Sequence, residues 1–201
     1  WRWWSALTVS SAGDAVTTVA LPLVAVTALG ASTFEASLVV AARFAAWAVI
    51  GLPAGVVVER FPLRQTQIAM DVVRALVLAS VPIAALLDAL TLTHVVLVSA
   101  AVGFAGVFFD IANASFLPSI VPEAELTARN SVTSSSIAAT QLGGPAAGGL
   151  LIQAVGAVAA VVVDVVSYLV SAVLLTGLPS PPPHPRPAEG RGSLWTMIAV
   201  G

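Results

Sequence analysis

Windows of twenty or more mostly apolar residues follow one another along this chain with only short polar breaks, and that succession decides the solvent in which it folds. A bilayer core about 30 Å thick is crossed by roughly 20 residues of α-helix. Six such windows run approximately from Ser5 to Leu29, Glu35 to Val58, Gln65 to Leu87, Thr93 to Phe116, Ala128 to Gln153 and Val155 to Leu178, the last two parted by a turn at Gly156. Composition supports the same solvent. The 201 residues are 58% hydrophobic and 9% charged, too few polar groups to cover an aqueous surface. The expected fold is an all-α membrane protein of six transmembrane helices, with the lipid bilayer as its first partner.

Charge excludes other classes. The net charge is −2 and no basic cluster occurs, which argues against nucleic acid as a partner. Cysteine is absent, so disulfides, thiolate metal sites and cysteine nucleophiles are excluded. Arginines orient the spans, because positive charge collects in short loops on the cytoplasmic side. Arg2, Arg60, Arg64, Arg129, Arg186 and Arg191 all fall at alternate ends of the windows, and the intervening loops hold none. Both termini are therefore expected in the cytoplasm, with three short hairpins outside. Residues 1–178 form the membrane domain. Six of the thirteen prolines lie in Pro179 to Pro187, so residues 179–193 are expected to be an extended cytoplasmic linker, and residues 194–201 the cut-off start of a following segment.

A charge at mid-membrane costs about 2.5–3.5 kcal/mol on insertion scales, so ionisable residues inside the windows are the first place to look for function. They are Asp14, Arg43, Asp110 and Asp164, with Asp71 and Arg74 nearer the inner end of the third window. The margin is narrow. Nine leucines and valines in the first window contribute about 4 kcal/mol and Asp14 removes about 3. Asp14 and Arg43 share a depth, so Asp14 either forms a structural ion pair or carries a proton as a cavity changes sides.

Polar stripes accompany these charges. Ser10, Asp14 and Thr17 share one face of the first helix, and Ser99, Gly103, Gly106, Asp110 and Asn113 share one face of the fourth, which makes them candidates to line a cavity. The glycines serve close helix packing equally well. Asp110 and Asn113 are placed for an inner network with Arg60 or Arg74, while Asp164 has no cation at its own depth. Gly51-Leu-Pro-Ala-Gly55 and Gly143-Gly144-Pro145-Ala-Ala-Gly148-Gly149 combine missing side chains with a proline bend.

Three segments resemble the N-terminal six-helix half of a major facilitator superfamily transporter, in the branch containing the enterobactin exporter and macrolide efflux proteins. Ser11-Ala-Gly13-Asp14 is similar to the helix 1 motif of that branch. Ala42-Arg43-Phe44 through Gly55, Glu59, Arg60 and Arg64 is similar to the signature between helices 2 and 3. Gly144-Pro145-Ala-Ala-Gly148-Gly149 resembles the helix 5 antiporter motif of exporters. Glu59, Pro62 and Leu63 depart from the usual Asp-Arg-x-Gly-Arg-Arg. The resemblance implies two inverted three-helix repeats, helices 1 and 4 on the cavity, helices 2 and 5 against a second half, and alternating access in a bacterial plasma membrane. It implies an inner gate involving Gly55, Glu59, Arg60, Arg64, Asp71 and Arg74. It also implies proton-coupled efflux of drugs, siderophores or other small amphipathic molecules, no cofactor beyond the coupling proton, and a C-terminal six-helix half in the same chain or a second copy.

Two other classes share parts of this pattern. A homodimerising or non-transporting six-helix scaffold shares the apolar pattern. An intramembrane serine protease needs a base at depth, and the only histidines are His94, at a helix edge, and His184, in the linker. Without native cysteines, single-cysteine labelling has a clean background. A cysteine beside Asp88 is expected to react with an impermeant reagent from outside only; reaction only from the cytoplasmic side would reverse the orientation.

Overall fold

The computed structural model describes residues 1–178, which form six helices: α1 (Arg2–Leu29), α2 (Thr33–Val58), α3 (Leu63–Leu86), α4 (Leu92–Ile120), α5 (Glu123–Val155) and α6 (Ala157–Thr176). The proline-rich linker and the segment after it lie outside the described residues. Five helices are long and apolar enough to cross a membrane: α1, α3, α4, α6 and the Thr33–Gly51 part of α2. The fifth window differs from its expected form. At 33 residues α5 is long enough, but it starts at Glu123 rather than Ala128 and carries Glu123, Glu125, Arg129 and a serine and threonine run in its first half. Those hydroxyls bond inside the helix. Ser131, Thr133, Ser136 and Thr140 each donate to the carbonyl four residues back, which spares them a partner elsewhere.

The short connections have local causes. Gly30 ends α1 in the left-handed region at φ 65°, which a residue without Cβ reaches at no steric cost. Ser32 and Glu35 then start α2 with a reciprocal capping box: Ser32 Oγ accepts from the Glu35 N–H, and Glu35 Oε2 accepts from the Ser32 N–H at 2.8 Å. Thr91 caps α4 by accepting from the His94 N–H. Gly156, at φ 86°, is the single residue between α5 and α6. At the opposite end Arg2 donates to the Gly177 carbonyl and Arg64 to the Leu178 carbonyl, so the start of α1, the start of α3 and the end of α6 meet.

Helix α1 packs on α6, α5 and α2, and α4 packs on α3, α2 and α5, while α3 meets α6. Exchanging α1 with α4, α2 with α5 and α3 with α6 maps these contacts onto one another, a small α5–α6 contact excepted. Because each three-helix unit has an odd number of spans, the second enters from the opposite side, which is the inverted repeat. An apolar core at the hairpin end includes Leu21, Val24, Leu78, Val81, Val98, Val102 and Val161. Another at the terminal end includes Trp3, Leu7, Leu63, Phe109, Phe116 and Leu175.

Close approach between helices relies on missing side chains. A Cβ at Gly103 would strike the Arg43 carbonyl, whereas one at Gly106 would meet nothing. Gly103→Ala should therefore destabilise the bundle by about 1–3 kcal/mol and Gly106→Ala by under about 0.5. Thermal midpoints in detergent test this, and equal losses would contradict the packing.

Candidate functional site

A polar cluster lies between the two apolar cores, and α1 organises it. Residues 13 to 16 point to successive sides of the helix. Gly13 faces α6, where a Cβ would overlap Asp164 and Ser167; Ala15 and Val16 face α5, where Gly144 and Gly148 leave room for them. Asp14 is directed at α2, α3 and the tyrosine of α6. Its Oδ1 accepts from Arg43 Nη2 and, at 2.7 Å, from the Tyr168 hydroxyl, while Arg74 Nη1 lies 3.4 Å from Oδ2. One carboxylate thus ties four helices together.

Arg74 is the second hub. Its Nη2 donates to Asp71 Oδ1, and its guanidinium carbon sits 4.3 Å from the ring centroids of both Phe109 and Tyr168. Two aromatic faces over a desolvated guanidinium contribute about 2 kcal/mol or more each when fully shielded from water. This side is buried, with Asp71 fully covered and Arg74 2% exposed, whereas the side chains of Asp14 and Arg43 retain 28% and 17%. The cluster opens toward α2.

Asp164 is fully buried and accepts from Ser167 Oγ at 2.8 Å; no cation pairs with it among the described residues. The cluster of Asp14, Asp71 and Asp164 therefore holds three carboxylates against two guanidinium groups. Asp110 is exposed beyond it. The expected network joining Asp110 and Asn113 to Arg60 or Arg74 does not form among the described residues, because Arg74 is already spent on Asp14 and Asp71. Asn113 is half-buried.

The expected cavity lining divides. Ser10, Thr17 and Ser99 are buried, Ser99 donating to the Val39 carbonyl at 2.7 Å, and Gly103 is pressed against α2, while Thr17 and Ser99 also line a small recess beside Arg43. Gly106 faces open space. The inner-gate set divides too. Glu59 ends α2 and is exposed with Arg60, Gly55 faces no neighbour, Arg64 bonds to Leu178, and Asp71 and Arg74 belong to the Asp14 cluster. In the helix 5 motif, Gly144 and Gly148 touch α1, Gly149 faces open space and Pro145 is exposed.

Tyr168, Phe109, Ser167, Ser171 and Gln67 were not singled out by the sequence. A signal was present in α6: Asp164, Ser167, Tyr168 and Ser171 step by three and four along one face, and Tyr168 is the only tyrosine. Among the described residues no group of metal-ligating side chains forms. A groove of about 730 Å³ lies elsewhere, among α2, α3 and α4, lined mostly by apolar residues such as Phe61, Met70, Val73, Phe104 and Phe108, and contains none of the cluster.

A multidrug efflux pump, Tap, of Mycolicibacterium fortuitum is 30% identical over 155 residues, covering 74% of this chain and 37% of that protein, so the chain matches well under half of its relative's length. No solved structure matches. The model of the Major Facilitator Superfamily matches residues 3–199. With six helices in an inverted-repeat arrangement and a match over nearly its whole length, the chain belongs to the Major Facilitator Superfamily.

Proposed function

We propose that this chain is the N-terminal half of a proton-coupled exporter of small amphipathic molecules, of the enterobactin exporter and macrolide efflux type, working by alternating access with both termini in the cytoplasm. The observation that carries the coupling is the charge count. Asp14 and Asp71 share two guanidinium groups, and the fully buried Asp164 beside them has no ion-pair partner among the described residues. An uncompensated buried charge costs several kcal/mol, so the low-energy cluster holds one proton among Asp14, Asp71 and Asp164.

The position of that proton has a mechanical consequence. Among the described residues Arg43 has one ion-pair partner, Asp14, while Arg74 has two, Asp14 and Asp71. A proton on Asp14 therefore releases Arg43, and with it the tie between α1 and α2, but leaves Arg74 held by Asp71. Helix α2, still packed on α4, is then no longer held to α1 by an ion pair on the open side of the cluster. The exposed face of α5 supports a second half beside it: Asn130, Ser131, Ser134, Ser135 and Gln141 are exposed, a surface suited to protein or water and not to lipid. The name of the efflux pump relative supports export.

Asp14→Asn in the full-length transporter is expected to abolish proton-driven export. Unchanged export with an unchanged pH dependence would contradict the role. Tyr168→Phe keeps the ring over Arg74 and removes one hydrogen bond to a charged carboxylate, and should cost about 1.5–3 kcal/mol of stability. Tyr168→Ala should cost more, having lost the ring as well. Equal midpoints for the two variants in thermal unfolding would argue against the stacked guanidinium.

A further inference from the structure

A second set of polar groups runs from the Asp14 cluster to the end of the bundle that carries the start of α1. On α3, Gln67, Asp71 and Arg74 step along the face buried against α6, and on the antiparallel α6, Ser171, Ser167 and Tyr168 face them. Gln67, Asp71 and Ser171 are fully buried. Both amide atoms of Gln67 and Arg74 Nε have no protein partner, and the Ser171 hydroxyl lies beside the Asp71 carboxylate without a well-aligned hydrogen bond to it. Buried polar atoms in such numbers are normally bridged by ordered water, and one water satisfies two to four of them. Successive positions rise by about 4.5–6 Å, a gap that one or two waters fill.

The seam is polar on one side only. Past Asp164 toward the hairpin end, the buried residues of the same two helices are Ala75, Leu78 and Val81 on α3 and Ala157, Ala160 and Val161 on α6, which offer water nothing. At the terminal end Leu63 and Leu175 narrow the mouth, and Arg64 is fastened to the Leu178 carbonyl. The charged and titratable groups around the seam are Asp14 of α1, Arg43 of α2, Arg64, Asp71 and Arg74 of α3, Asp110 of α4, and Asp164 and Tyr168 of α6.

We propose that the α3–α6 seam is a water-filled proton route between the terminal end of the bundle and Asp14, separate from the substrate path, with Gln67 and Ser171 as its water-holding residues. This rests on the reading of Asp14 as the proton-binding carboxylate. A hydronium arriving along the seam gives its proton to the Asp14 carboxylate, leaving a water and a neutral acid, and Arg43 loses its partner; release runs the same steps backward. Protons thereby reach the cluster while the open side toward α2 is occupied by substrate.

The test uses the full-length transporter in liposomes with an internal pH dye. Gln67→Leu and Ser171→Val should each slow substrate-driven proton movement by about tenfold while substrate affinity stays within about twofold, and Ser171→Thr should restore the rate. Wild-type rates in both apolar variants would overturn the route. Should those variants fail to fold, hydroxyl-radical footprinting of the wild type replaces them: labelling of buried Tyr168 and Leu175 is expected, and their protection would overturn the route. Asp14→Asn separates the two claims. Proton movement that persists in Asp14→Asn refutes the carrier, whereas its loss there, with wild-type rates in the seam variants, refutes the seam alone.

Discussion

The Asp14 carboxylate is the interaction on which the arrangement depends, because it is shared by Arg43 of α2, Arg74 of α3 and Tyr168 of α6. In water such contacts would contribute little, since exposed ion pairs are worth about 0–1 kcal/mol. Between two apolar cores, removing one partner strands the others without solvent, a loss of about 3–5 kcal/mol. The same low dielectric makes the cluster responsive. One proton is enough to change which helices are tied.

Close packing makes that change directional. Gly13 lets α6 approach within reach of the cluster, Gly103 lets α4 press on the Arg43 backbone, and Gly144 and Gly148 seat α5 on Ala15 and Val16. Arg43 is thus fixed at its backbone by α4 and at its guanidinium by Asp14. Phe109 of α4 and Tyr168 of α6 hold Arg74 of α3 in a buried aromatic clamp, a fixed side to which α2 is joined through the one ion pair of Arg43 with Asp14.

Much of this was legible in the sequence. Spans follow from hydropathy, which is strong in lipid because backbone groups have no alternative partner, and the shared depth of Asp14 and Arg43 followed from counting residues, with an ion pair as one of two readings. What was not legible depends on rotation of one helix against another. Arg74 was placed near the inner end, yet a long guanidinium reaches up to Asp14, and Asp110, expected to meet it, stays beyond ion-pair distance. Ser10 and Thr17 share the stripe of Asp14 but are buried by neighbours whose azimuth no single-helix pattern records. The polar spacing of Asp164, Ser167, Tyr168 and Ser171 on α6 likewise does not say which neighbour that face meets. The polar half of α5 was counted as a span although its composition alone does not qualify it.

Infrared difference spectroscopy of the purified full-length transporter, recorded on adding substrate, addresses the central claim most directly. The carbonyl stretch of a protonated carboxylic acid should change when substrate binds to the wild type and should be lost in Asp14→Asn. A wild-type carboxylic acid signal in Asp14→Asn would place the coupling proton elsewhere and contradict the account.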